Sequence, residues 1–350
     1  MTLRENMLKA INFETPDYIP VNMFISPACW NAYPQEFLFE IMETHPILFP
    51  GFIRTKDPVI PELHPVCMAS KPYTDDFGCV WETTVDGIMG TVVKHPLEAW
   101  ENYSVYKKPD PEKCTGMGEI DWSLQRMNVQ AAKNNGEFTL YGLKHGHTFL
   151  QLCDMRGYQN LMYDFSDDDA RIYELISLVE EFNTYIVKQY TDMEVDMISY
   201  AEDLGMQTGP MISPEHFKKF IKPSYSRLMK LAKDKGIRIH MHSDGDIKTL
   251  ADDLIDGGVE VINLQDLVNG IDWIAEKFSG KVCVDLDIDR QSITPRGTPK
   301  QIEALIKEEV IKIGSKSGGM MLTYGLYPNV PHSNIKALMD TLEKYICYYS

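Results

Sequence analysis

Short runs of alternating apolar and polar residues recur at regular intervals from about residue 137 onward. The runs span residues 138–143, 196–201, 237–242, 259–264, 281–286 and 319–324, and amphipathic stretches separate them. Strand-like runs alternating with helical patterns are typical of a parallel sheet built from βα units. Six units in this part of the chain favour a closed barrel over an open sheet, so we predict an α/β TIM (β/α)8 barrel.

Two of the intervening helices have readable start signals. Ser213 precedes Pro214, which places a capping serine before a proline at the first helical position. Thr298 is followed three residues later by Gln301, the spacing of a capping box. These residues are predicted to be structural.

Residues 1–135 have a different pattern, with many prolines and aromatic residues and fewer βα alternations. Helices are predicted near residues 3–11, 35–44 and 123–134, and a first barrel strand at 18–24. Residues 77–96 are typical of an antiparallel hairpin turning at Asp86-Gly87. The hairpin could form a wall of the barrel mouth or decorate the surface. We predict one domain over 1–350, with 1–135 as an N-terminal elaboration and 136–350 as regular βα units.

Charge and composition narrow the function classes. A formal charge of −17 without a dense basic cluster argues against nucleic-acid binding. No apolar run approaches the roughly 20 residues that span a bilayer, and the first residues lack a signal-peptide core, so a cytoplasmic protein is expected. The seven cysteines have no CxxC spacing, and neither a disulfide framework nor a thiolate zinc site is predicted.

Candidate chemistry concentrates at the predicted strand ends, which form the active-site face of a barrel. In the segment HMHSDG, His240 and His242 point to the same side of a strand, about 7 Å apart. His242 and Asp244 could bind a divalent metal, with Glu202 or Asp203 completing a nitrogen and oxygen set that suits zinc. The alternative is a buried histidine followed by an ordinary Asp-Gly turn.

Several segments, in order, resemble the uroporphyrinogen decarboxylase superfamily of TIM-barrel proteins. They include LRENMLKAINFETPDYIPV, DDFGCVW, AEDLGMQTGPMISPEHFKKFIKP, HSDGDI and VPHSNIKALMDTLEKY. The haem-pathway decarboxylase grips its polycarboxylate substrate with an arginine-containing N-terminal loop, whereas residues 20–37 contain no Arg or Lys. The resemblance therefore points to the cobalamin-dependent methyltransferases of this superfamily.

The thiol-directed methyltransferases bind zinc through a His-x-Cys-Gly segment and a cysteine on the last strand. Where those enzymes have the His-x-Cys-Gly segment, this chain has His242-Ser243-Asp244-Gly245. Tyr324 lies near the position of their last-strand cysteine. Tyrosine is a poor replacement for thiolate, so the resemblance implies an O-demethylase type instead. Such an enzyme moves a methyl group from a small O-methylated, aromatic compound to the cobalt of a separate corrinoid protein. Zn²⁺ would act as the Lewis acid.

Site roles follow from this resemblance and from the strand-end positions. The metal ligands are predicted to be His242, Asp244 and Glu202; the catalytic residues Asp203, His147 and Tyr324; and the substrate contacts His240, Gln207, Trp30, Trp81, Tyr327 and Asp287. No DxHxxG segment is present, so the cobalamin is expected on a partner protein. The sequence leaves a homodimer open.

Two alternatives stay open at this point. One is a decarboxylase or other lyase acting on a small carboxylic acid, in which Asp203 or His240 handles protons without a metal. The other is a non-catalytic binding barrel that has lost its ligands.

Overall fold

A computed structural model describes residues 1–350. The chain divides into two compact units. The terminal unit comprises Met1–Pro72, Glu82–Gly90 and Leu264–Ser350, and the central unit comprises Tyr73–Trp81 and Thr91–Asn263.

The chain forms twelve strands. They are β1 Val21–Ile25, β2 Tyr73–Thr74, β3 Val80–Glu82, β4 Thr91–Lys94, β5 Leu140–Gly142, β6 Met197–Asp203, β7 Gly205–Met206, β8 Gly209–Pro210, β9 Arg238–Asp244, β10 Val261–Gln265, β11 Cys283–Asp287 and β12 Met320–Leu326. All seven predicted sheet strands are present, as β1, β5, β6 and β9–β12. This parallel α/β arrangement is the predicted TIM-barrel-like fold, with seven strands assigned instead of eight.

The helices are α1 Leu3–Asn12, α2 Cys29–Ala32, α3 Gln35–Thr44, α4 Trp122–Asn134, α5 Phe149–Arg156, α6 Tyr158–Asp167, α7 Ala170–Asp192, α8 Pro214–His216, α9 Lys222–Lys233, α10 Ala251–Gly257, α11 Asp266–Asn269, α12 Ile271–Phe278, α13 Ile293–Arg296, α14 Pro299–Ile313 and α15 His332–Ile346. Short 3-10 helices span Pro65–Cys67 and Trp100–Val105, and a π-helical turn spans Phe217–Ile221.

Both predicted caps are present. The side chain of Ser213 accepts a hydrogen bond from the backbone N–H of His216, at the start of α8. Thr298 and Gln301 form a full capping box at the start of α14. Each cap satisfies backbone N–H groups that have no partner within the helix.

Within the central unit, β6 pairs in parallel with β5 on one side and β9 on the other. Because successive side chains alternate faces, each strand has one face for the core and one for the site. Ile239 and Met241 of β9 are fully buried, and α9 contacts this strand. His240 and His242 therefore share the opposite face of β9.

The terminal unit contains β11, β12 and β1, and β12 pairs in parallel with both neighbours. Its outer helices α14 and α15 pack together and bury Ile306, Val310, Leu338 and Leu342. These residues recur at helical spacing, which explains why the apolar pattern predicts this part of the chain well.

The predicted hairpin forms part of a small sheet with strand order β2-β3-β4, and its strands are shorter than expected. The connecting residues 83–90 lie in the terminal unit. The Asp86 carboxylate accepts the N–H of Ala69, and the N–H of Gly87 donates to the Cys67 carbonyl. Gly87 has φ of 83°, and a Cβ atom there would lie 2.4 Å from the Ala28 nitrogen. Only glycine fits this turn.

None of the helices combines the length and apolar character that a membrane crossing requires.

Candidate metal centre

Three residues of the central unit converge at the carboxyl ends of β5, β6 and β9. Asp203 ends β6, His242 lies in β9, and His145 follows β5. Parallel register places Ala201 opposite His242 and Asp203 opposite Asp244. The segment after β5 stays close to β6 because the Gly146 N–H donates to the Ala201 carbonyl at 2.9 Å.

The separations among these three side chains suit a metal ion. His145 Nε2 lies 3.3 Å from Asp203 Oδ1, and His242 Nε2 lies 3.4 Å from the same oxygen. All three ligand atoms lie within 4.8 Å of one another. Zinc held tetrahedrally at about 2.05 Å places neighbouring ligand atoms about 3.3 Å apart. Two imidazole nitrogens and a carboxylate oxygen therefore form a fitting donor set, which leaves a position for a substrate.

A hydrogen bond sets the orientation of the His242 ring. His242 Nδ1 is hydrogen-bonded to Oδ1 of Asn263. An amide oxygen only accepts, so Nδ1 carries a proton and the neutral ring has its lone pair on Nε2. Nε2 is the atom that faces Asp203. This arrangement is the usual support for a metal-binding histidine.

The charges of the group are strongly coupled. Burial alone would lower the pKa of His242, but the hydrogen bond to Asp203 and the charge of Asp244 outweigh it and raise the pKa to about 9. Burial opposes ionisation of Asp203 as well, yet His145 and His242 hold its pKa well below the usual range. Without a metal, an ionised carboxylate thus faces a protonated imidazole, and a cation would replace that proton.

Asp244 lies at the edge of this group. Its Oδ1 is 3.7 Å from His242 Nε2, and its backbone N–H donates to Asp203 Oδ1 at 3.0 Å. The chain then turns at Gly245, with φ of 79°. A Cβ atom at Gly245 would lie 2.1 Å from the carbonyl carbon of Gly205, so the HSDG glycine permits close backbone contact.

Glu202, predicted as a metal ligand, is not part of the group. Its fully buried carboxylate accepts backbone N–H groups from Thr148, from Phe149 at 2.9 Å and from Leu150 at 3.1 Å. Burial raises its pKa to about 7, although these hydrogen bonds oppose the rise. Glu202 therefore anchors the start of α5 to β6, directly after the segment that carries His145.

The alternation of side-chain faces along β6 distinguishes Glu202 from Asp203. Ile198, Tyr200 and Glu202 share one face of the strand and are fully buried, whereas Asp203 shares the opposite face with Ser199. The apolar residues on the same strand face thus indicate that the Glu202 side chain points into the hydrophobic core, away from Asp203. His145, the third member of the group, is not among the ligands predicted from the sequence, although it lies just after a predicted strand.

The other predicted residues of the central unit lie outside the ligand group. His147 is enclosed, with Nδ1 2.7 Å from Thr148 Oγ1, and burial lowers its pKa to about 3. His240 Nδ1 lies 3.0 Å from Ser199 Oγ, and Gln207 is exposed between β7 and β8. Trp81 is buried, and its Nε1 donates to an Asp75 carboxylate oxygen at 2.9 Å.

The remaining predicted residues lie in the terminal unit. The hydroxyl of Tyr324 donates to Thr294 Oγ1 at 3.0 Å, and burial raises its pKa to about 12. Asp287 pairs with Arg290 at 2.6 Å. The Arg290 guanidinium lies 5.5 Å from the ring centre of Tyr327, so it links two predicted substrate contacts. Trp30 is half-buried and packs against Phe39.

A solved structure that aligns over its full length supports the fold, and others align in part. A methyltransferase from Methanosarcina mazei aligns over 100% of both chains, with a TM-score of 0.64 and 16% identity. A B12-independent methionine synthase from Shewanella sp. W3-18-1 covers 62% of this chain and 64% of its own, with a TM-score of 0.41 and 10% identity. A D-psicose 3-epimerase from Clostridium cellulolyticum H10 covers 66% and 83%, with a TM-score of 0.40 and 14% identity.

Curated protein sequences gave no significant match. The family model described as uroporphyrinogen decarboxylase (URO-D) matches residues 75–345, which is most of the chain and includes the whole candidate metal centre. The protein therefore belongs to the uroporphyrinogen decarboxylase (URO-D) family.

Proposed function

We propose that this protein is a methyltransferase that moves a methyl group from a small O-methylated aromatic compound to the cobalt of a separate corrinoid protein. The observation that carries the proposal is the convergence of His145, Asp203 and His242 within 4.8 Å. The full-length likeness to a protein named as a methyltransferase supports it. The depressed pKa of Asp203 disfavours a metal-free lyase in which this residue donates a proton.

The same three residues would hold Zn²⁺, and Asp244 would lie beside it. Bound there, zinc would supply Lewis acidity toward the ether oxygen of the donor. Asn263 keeps the Nε2 lone pair of His242 directed at the site. Asp203 stays ionised and contributes negative charge that favours a divalent cation over a proton.

The transfer itself requires one bond to break and one to form. The methyl carbon would pass from the phenolic oxygen to the cobalt that the corrinoid partner would supply, and the electrons of the broken C–O bond would remain on the departing oxygen. That oxygen becomes negative, so a nearby positive charge stabilises the transition state. The group of three residues is accessible to such a donor, because the side chains of His145 and His242 are 39% and 20% exposed.

The proposal is tested with zinc-loaded and chelator-treated protein, a panel of methoxylated aromatics and a reduced corrinoid protein. Methylation of Co(I) is followed by absorbance. We expect transfer from at least one donor, its loss on chelation or in His242→Gln, and its retention in His64→Gln, which alters an exposed histidine. Transfer that survives both chelation and His242→Gln would refute the proposed role of the metal.

A further inference from the structure

The ammonium group of Lys144 is buried in the central unit without a partner. Its Nζ atom has no hydrogen bond and makes no ion pair. The aliphatic stem passes close to the backbone of Gly116, where an added Cβ atom would lie 3.1 Å from Lys144 Cδ. A buried ammonium with three unused N–H donors is unfavourable unless another group completes it.

Neither of the two nearby carboxylates forms a hydrogen bond with the Lys144 ammonium. The two oxygens of Asp75 already accept the N–H of Cys79 and the Nε1–H of Trp81, each at 2.9 Å. Burial raises the pKa of Asp154 to about 6, and the charge of Lys144 opposes that rise. Asp75 and Asp154 thus offset the lysine charge from a distance, but neither is hydrogen-bonded to Nζ.

Two further features of the region around Lys144 bear on what group could complete the ammonium. The Trp81 ring centre lies 5.8 Å from Nζ, so an aromatic face borders the cation. Gln151 is fully buried, yet its Oε1 has no partner and its Nε2 has only a 4.0 Å contact with Cys79 Sγ. Lys144 thus combines an unpaired cation with an aromatic neighbour, and small-molecule sites likewise combine a few placed polar groups with apolar and aromatic side chains.

Lys144 lies close to one member of the metal group. Lys144 directly precedes His145 in the chain, and the charges of both residues act on Asp154. A ligand held at Lys144 would therefore be close to the group formed by His145, Asp203 and His242.

We propose that Lys144, with Trp81 beside it, binds the carboxylate of an aryl carboxylic acid, and that the methyl donor belongs to this class. The inference rests on the proposed function and narrows its substrate. One buried cation matches one carboxylate, whereas a polycarboxylate needs several. The planar ring of an aryl acid can pack against Trp81.

The test measures binding by calorimetry, without methyl transfer. The ligands are benzoate, 4-methoxybenzoate and the neutral ester methyl benzoate. The proteins are the wild type, Lys144→Met, Lys144→Arg and the control Lys113→Met, which changes an exposed lysine. We expect the wild type to bind benzoate about tenfold or more tightly than the ester, a preference typical of a charge-paired ligand. Lys144→Met should lose the preference, while Lys144→Arg and Lys113→Met keep it.

Two results would overturn the inference: a wild type that binds neither acid, or a Lys144→Met protein that still prefers the acids. Zinc content and thermal unfolding of each variant show whether it is folded. The proposed function fails separately. If benzoate binding depends on Lys144 but no methoxylated compound donates its methyl group, the carboxylate site stands and the methyltransferase proposal falls. If only uncharged ethers react and no acid binds, the methyltransferase proposal stands and the carboxylate site falls.

Discussion

His242 Nε2 lies 3.4 Å from Oδ1 of Asp203, and the same oxygen is 3.3 Å from His145 Nε2. One carboxylate oxygen thus connects two imidazoles from different segments of the chain. The parallel register of β6 and β9 creates this relationship, because it places the site-facing residues of both strand ends side by side.

Asp203→Asn is expected to weaken zinc binding strongly. The substitution keeps the shape of the side chain but removes its charge and one acceptor oxygen. Changing a residue that hydrogen-bonds to a metal ligand typically lowers metal affinity about 10–100-fold. Loss of a direct ligand should lower it more, so we expect zinc affinity to fall about 100-fold or more. Competition with a chromophoric chelator measures this. Asp244→Asn should have a smaller effect, and equal losses would contradict the assignment of Asp203 as the ligand.

Glu202→Gln should destabilise the protein and weaken zinc binding less than Asp203→Asn does. The amide keeps one acceptor oxygen and replaces the other with an NH2 group, which would face the backbone N–H of either Phe149 or Leu150, so a buried acceptor is lost. Such a loss costs about 1–3 kcal/mol. Urea unfolding measures it, with the exposed Glu137→Gln as a control. Unchanged stability together with lost zinc binding would instead favour Glu202 as a ligand.

Gly245→Ala and Gly236→Ala form a matched pair. Both glycines have positive φ, of 79° and 70°. A Cβ atom at Gly236 meets nothing within 4 Å, whereas at Gly245 it meets backbone at 2.1 Å. We expect Gly236→Ala to cost about 1–2 kcal/mol, from backbone conformation alone. Gly245→Ala should cost clearly more in urea unfolding, and equal costs would show that the backbone contact is absent.

Stability of the metal-free protein should fall between pH 6.5 and about 9. The folded pKa of His242 is raised to about 9, above its ordinary 6.5. Its protonation therefore stabilises the fold fully below pH 6.5, and this contribution is lost as pH rises through the folded pKa. Zinc affinity should rise over the same interval, because the metal displaces that proton. Urea unfolding at several pH values measures the slope, which His242→Gln should flatten.

Much of the fold could be predicted because strands and helices repeat local patterns. The alternation in 196–201 and 237–242 marked β6 and β9, and the caps at Ser213 and Thr298 marked two helices. The place of His242 in the candidate metal centre was predictable because it lies on a strand in a recognisable segment. The position of His145 depends on an irregular segment held by Gly146 and Glu202, and such tertiary contacts leave no periodic signal.

The choice between Glu202 and Asp203 depended on register. Consecutive strand residues face opposite sides, so a shift of one residue exchanges their roles. The buried residues Ile198 and Tyr200 indicate which face of β6 packs into the hydrophobic core. Only the pairing of β6 with β9 places Asp203 beside His242.

X-ray absorption at the zinc edge of the metal-loaded wild type tests whether His145, Asp203 and His242 bind zinc together. We expect one zinc per chain with nitrogen and oxygen ligands at about 2.0–2.2 Å, from these three residues. A sulfur shell at about 2.3 Å, or no stoichiometric zinc after loading, would contradict it.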